Sequence, residues 1–166
     1  MRPDLRYDFD VDMPTHRLTV VREFDAPLPR VWDCHTRSEL LDQWFAPPPL
    51  TTVTRNFDFR DGGHWHYAIV DPDGNEYWSL VEYLTITPQR GYLSRDYFVD
   101  AERRVNPEMP GANWDVTFED HGARSIVRTV VTYASEADLQ TVIDMGMREG
   151  LSLTLERLDD LLETLE

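Results

Sequence analysis

"MGMREGLSLTLERLDDLLETLE", residues 145–166, decides the fold. Met147, Leu151, Leu155, Leu158, Leu162 and Leu165 recur at intervals of four and three, the spacing that gathers apolar side chains on one face of an α-helix. The helical period begins near Ser135, so the reading is one long amphipathic helix running to the end of the chain. Its apolar stripe is long enough to cross a small domain and has to lie on something, and the rest of the sequence supplies a sheet.

Upstream the period is two. "HRLTVVREF", residues 16–24, reads as a first strand through Leu18, Val20 and Phe24. "DAPLPRVWDCHT", residues 25–36, puts prolines at the start of a short helix, where a missing N–H costs little. Ser38 is placed as the N-cap of a second short helix, "ELLDQWF", stopped by three prolines at 47–49. "VTRNFDF", residues 53–59, sets Val53, Phe57 and Phe59 on one face. "HWHYAIV" and "EYWSLVEYLTI" flank "DPDGN", residues 71–75, and form a hairpin, since Pro, Asp, Gly and Asn are turn formers. "YLSRDYFV", "NWDVTFE" and "SIVRTVVTY" are three further strands. The sum is an α+β fold: an antiparallel sheet of six or seven strands, two short helices after the first strand, and the long C-terminal helix packed on the sheet. A loosely held arm is expected over residues 1–15 and one domain over 16–166, the size a single core supports.

Composition narrows the partners. Sixteen basic against 31 acidic residues leave a formal charge of −15, a field that opposes nucleic acid and anionic membrane surfaces. Cys34 is the only cysteine, so an internal disulfide and a multi-cysteine zinc site are excluded, and a reducing compartment is the natural reading. The first sixteen residues lack an apolar h-region, and no stretch approaches the roughly 20 apolar residues of a membrane span. A cytoplasmic location is expected.

The order of elements and three phrases resemble the Hsp90 ATPase activator homologue (AHSA1-like) family of the START/Bet v 1-like superfamily. In "FDAPLPRVWDCHTRSELLDQWFAPP", Ala26, Pro27, Val31, Trp32, Thr36, Trp44 and Pro47 sit where that family's opening pattern wants them. "DGGHWHY" is similar to its Gly-Gly-x-aromatic strand start, and "MGMREGLSLTLERLDDLL" to its C-terminal helix. The resemblance spans residues 16–165. It implies a helix-grip fold, in which a curved antiparallel sheet wraps the C-terminal helix around a cavity that holds hydrophobic or aromatic small molecules in the superfamily, with chemistry in some branches. Homodimerisation would fit related proteins. Two departures stand out: the loop at 100–112 is long, a lid or a solvated excursion, and Val81 occupies a strand position where the family often has glycine, which narrows the cavity.

His64 and His66 share one face of a strand, with ring separations of about 6 to 7 Å, close enough to share a metal. Two ligands do not make a zinc site, and no spacing brings in a third, so no metal and no cofactor is assigned. The pair is instead placed among the pocket residues, as polar fittings whose charge changes near neutral pH. The opposite face of the strand carries Trp65 and Tyr67, and the sequence leaves open which face points inward. Trp44, Phe57, Trp78, Tyr97 and Trp114 are expected where sheet meets helix, with Met147 and Leu151 on the helix wall. Aromatics also dominate ordinary cores, and Trp32 is read as a packing anchor. Gly146 and Gly150 lie four apart on the helix, each costing roughly 1 kcal/mol relative to alanine, a cost offset by close strand approach or by a ligand against bare backbone.

Catalysis has little support in the sequence. No Gly-x-Ser-x-Gly elbow, Walker loop or dinucleotide fingerprint is present. Cys34 beside His35 suggests a nucleophile and its base, yet adjacent helical residues point about 100° apart. Glu82 and Asp96 are the two strand carboxylates whose burial would matter, since an inward carboxylate has a raised pKa. No catalytic residue is assigned. The expected function is binding of an apolar or aromatic small molecule between sheet and helix. An enzyme of the same fold, using the histidines or a buried carboxylate for cyclase-, hydrolase- or isomerase-like chemistry, is the alternative. A co-chaperone of Hsp90-type partners comes last.

Overall fold

The computed structural model describes residues 2–165. Eight antiparallel strands form one sheet: β1 (Tyr7–Asp12), β2 (Arg17–Phe24), β3 (Thr51–Phe57), β4 (His64–Val70), β5 (Glu76–Thr87), β6 (Gly91–Val99), β7 (Ala112–His121) and β8 (Arg124–Tyr133). Their spatial order is β1-β2-β8-β7-β6-β5-β4-β3. The described residues also form four helices: α1 (Leu28–Thr36), α2 (Ser38–Trp44), α3 (Glu136–Asp144) and α4 (Met147–Thr164). The α+β helix-grip arrangement holds, with eight strands where six or seven were expected.

The added strand lies in the stretch read as a loose arm. Tyr7 to Asp12 pair in full register with Arg22 to Arg17, and Phe9 is 8% exposed. Alternation of Tyr7, Phe9 and Val11 with aspartates is a strand pattern. The long helix read from Ser135 is two helices, because Gly146 adopts a left-handed φ of +89° and interrupts the first before the second begins. Ser135 caps α3 by accepting from the N–H of Asp138. Ser38 is the first residue of α2, not its cap: α1 and α2 abut at Arg37, which ends one and starts the other.

Phe24, Val31, Leu41, Leu158 and Leu162 join one core between the sheet, α1, α2 and α4. Full burial of side chains this size contributes about 1.5–3 kcal/mol each, which fastens α4 to the sheet. Within β3 a bulge between Thr54 and Asn56 breaks the expected alternation: Val53 pairs with Ala68 on the outer face, 51% exposed, while Phe57 pairs with Trp65 on the inner one. Among the described residues, no helix is long and apolar enough to cross a membrane.

Candidate functional site

A cavity of about 470 Å³ lies between the inner face of the sheet and α4. Strand parity selects its walls. Trp65, Tyr67 and Ile69 of β4 face it, so the inward set is the aromatic one. From β7 comes Trp114, from α2 Trp44, and from α4 Met147 and Leu151. Two of the wall indoles are anchored from behind: Trp44 Nε1 donates to the Cys34 carbonyl (2.9 Å) and Trp65 Nε1 to Thr54 Oγ1 (3.0 Å). Val81 lines the cavity as well.

Of the nine residues expected in a pocket, Trp44, Trp114, Met147 and Leu151 thus meet at this cavity, and five do not. Phe57 faces inward but packs on Trp65 and Tyr83, with ring centroids 6.2 and 6.3 Å away. His64, His66, Trp78 and Tyr97 lie on the outer face, because His66 pairs with Leu80 and Leu80 with Tyr97, one residue out of phase with the lining. His66 is nevertheless only 1% exposed. Its ring lies 4.8 Å from that of Trp78 and its Nε2–H donates to the Asp100 carbonyl (3.1 Å). Arg103 donates from Nη1 to His64 Nε2 (3.0 Å), and Arg55 from Nη1 to the Ala101 carbonyl (3.1 Å). These bonds hold the beginning of the 100–112 loop against the outer face, away from the cavity. Burial lowers the His66 pKa. Among the described residues, no group of three or more His, Cys, Asp or Glu side chains could hold a metal ion.

Polar groups in the cavity wall are few and separated. Asp96 on β6 faces inward between Val81 on β5 and Ala112 on β7. Burial pushes its carboxyl up to about 6, against the N–H of Ala112, which donates to Oδ1 at 2.8 Å and favours the charged form. The indole N–H of Trp114 also favours it but completes no hydrogen bond of good geometry, and Nε1 is buried without a partner. Glu82, the other carboxylate singled out, is exposed on the outer face. His35 lines the cavity from α1; its Nδ1–H donates to the Val31 carbonyl (2.8 Å), and burial lowers its pKa to about 4. With His35 turned to that carbonyl and the buried Cys34 thiol pushed up to about 11, the two do not form a nucleophile–base pair.

Among the described residues, Arg22, 1% exposed, is the one Lys or Arg in the lining. It bonds the Asp159 carboxylate on α4 and the Glu23 carbonyl. Sequence reasoning missed it as a wall residue, although it occupies the inward phase of Leu18, Val20 and Phe24, where a charged residue is out of pattern. Trp65 and Tyr67 were recognised only as one of two possible faces. The signal favouring them is their apolar bulk beside two imidazoles.

Residues 25–163 match the family model described as Activator of Hsp90 ATPase homolog 1-like protein. A solved structure from Mycobacterium smegmatis is 31% identical, with 95% of this chain and 96% of that one covered and a TM-score of 0.86. A solution structure from Arthrobacter aurescens is 27% identical over 95% and 91% of the chains, with a TM-score of 0.89. Another from Staphylococcus epidermidis is 29% identical over 94% of each, with a TM-score of 0.82. No curated protein matches the chain.

Proposed function

The chain belongs to the activator of Hsp90 ATPase homolog 1-like family, and from that premise we propose that it binds an apolar or aromatic small molecule in the cavity between the sheet and α4. One observation carries this reading: about 470 Å³ is left open beneath α4 and walled by Trp44, Trp65, Tyr67 and Trp114, a volume within the roughly 300–1,000 Å³ of small-molecule sites. Met147 and Leu151 close the helix side, and methionine adapts its shape to what it touches.

Catalysis in the same space is the second reading, and Asp96 and His35 are the groups that favour it, since burial shifts their pKa values in opposite directions, the carboxyl up to about 6 and the imidazole down to about 4. They do not converge. His35 packs on Phe118 (5.2 Å between ring centroids), six residues along β7 from the Ala112 that holds Asp96, about 20 Å at the rise of a strand. The co-chaperone reading rests on the family description alone.

Native mass spectrometry of freshly purified protein beside a denatured control tests the binding reading. The expected result is an organic increment of a few hundred daltons lost on denaturation, or saturable binding of the neutral probe N-phenyl-1-naphthylamine. The absence of both an increment and probe binding would contradict it.

A further inference from the structure

The charge layout of the cavity narrows its ligand, on the premise that the cavity binds one. Among the described residues Asp96 is the only carboxylate in the lining, and its strand partners on either side, Val81 and Ala112, are short. Oδ1 takes one backbone N–H, which leaves most of the acceptor capacity of a carboxylate unused. Arg22 is no partner for it: it pairs across the sheet with Val127, six residues along β8 from the Tyr133 that pairs with Ala112, about 20 Å away, and its guanidinium is neutralised by Asp159. A formal charge of −15 over the whole chain raises the local concentration of cations further.

We propose that the cavity selects an apolar, ring-bearing amine, whose ammonium group sits on the Asp96 carboxylate while its rings lie against Trp114, Met147 and Leu151. The aromatic faces near Asp96 suit the same cation. The titratable groups facing Asp96 are Tyr67 from β4 and Tyr133 from β8, both kept protonated by burial and by Asp96 itself, so neither competes as a charge near neutral pH. His35, also in the lining, lies toward the Arg22 end and stays neutral above about pH 4.

Isothermal titration with four compounds of one ring system tests this: naphthylmethylamine, naphthalenemethanol, naphthaleneacetic acid and methylnaphthalene. At pH 7.5 the amine is expected to bind at least about tenfold more tightly than the alcohol and the hydrocarbon, with the acid weakest, as a charge-assisted hydrogen bond requires. Asp96→Asn should shrink the amine's advantage to within about threefold and leave the hydrocarbon unchanged. In the unaltered protein the amine should lose about tenfold in affinity between pH 7.5 and 5, as the carboxyl takes up its proton, while the hydrocarbon does not respond. Equal binding of amine and hydrocarbon, tighter binding of the acid, or a pH-independent amine overturns the amine assignment alone. Failure of all four, methylnaphthalene included, overturns the cavity reading and this inference with it.

Discussion

Arg22 of β2 and Asp159 of α4 form an ion pair between sheet and helix, with side chains 2% and 14% exposed. A guanidinium so placed has no water to fall back on. Removing only its partner, Asp159→Ala, is expected to cost about 3–5 kcal/mol, whereas Arg22→Met with Asp159→Leu should fall within about 1–2 kcal/mol of the unaltered protein. Urea unfolding at pH 7 reads both. A single variant as stable as the double one would show that the pair does not tie helix to sheet.

Two half-buried groups in the cavity wall oppose each other over one range of pH. His35 ordinarily titrates at 6.5 and is held to about 4, so the unfolded chain takes up a proton that the folded one refuses, and stability falls as pH drops across that window. Asp96 ordinarily titrates at 3.8 and is raised to about 6, so the folded chain keeps a proton that the unfolded one releases, and stability falls as pH rises across nearly the same window. Each effect is worth about 3 kcal/mol and they largely cancel. Asp96→Asn should therefore lose stability relative to the unaltered protein as pH falls from 6.5 to 4, and His35→Phe should gain it. Parallel stability–pH curves for the three proteins would refute the assignment.

The two helix glycines should respond in opposite directions. Gly146 has a left-handed φ, so Gly146→Ala is expected to cost about 1–2 kcal/mol. At Gly150 an added Cβ would meet Pro47 Cγ at 3.8 Å, an ordinary contact, so Gly150→Ala should stabilise by about 0.5–1 kcal/mol through helix propensity. Thermal unfolding distinguishes them, and a destabilised Gly150→Ala would mean that α4 sits closer to its neighbours than this.

His66 is predicted to hold the 100–106 segment and to leave ligand binding alone. His66→Ala removes the bond to the Asp100 carbonyl and the packing on Trp78. Hydrogen exchange should accelerate at the amides of Arg104 and Asn106, which bond Asp100 and Phe98. Affinity for N-phenyl-1-naphthylamine should change by less than about twofold, the size of an effect with no contact to the ligand. A large loss of affinity would put His66 in the pocket after all.

The helix stripe, the hairpin turn and the cleanest alternation, Trp114–Val116–Phe118, could be read from the chain because each follows one period over several residues. What period alone does not supply is which face points inward. That depends on register, and a one-residue change of phase moved His64, His66, Trp78 and Tyr97 to the outer face. The bulge at Arg55 had the same effect within a single strand, separating Val53 from Phe57. Gly146 was recognised as costly, but its left-handed turn is a tertiary requirement that no helical repeat reveals. Asp96 could be named from its place in a strand, while its isolation from Arg22 required the pairing of four strands.

The most direct test of the cavity is methyl-resolved NMR during titration with N-phenyl-1-naphthylamine. Binding between sheet and α4 predicts saturable shifts at Met147, Leu151, Val81 and Val131, which line the space, with Val53, Leu84 and Leu93 on the exposed surface unmoved. Shifts confined to the exposed methyls, or none at saturating probe, would contradict the account.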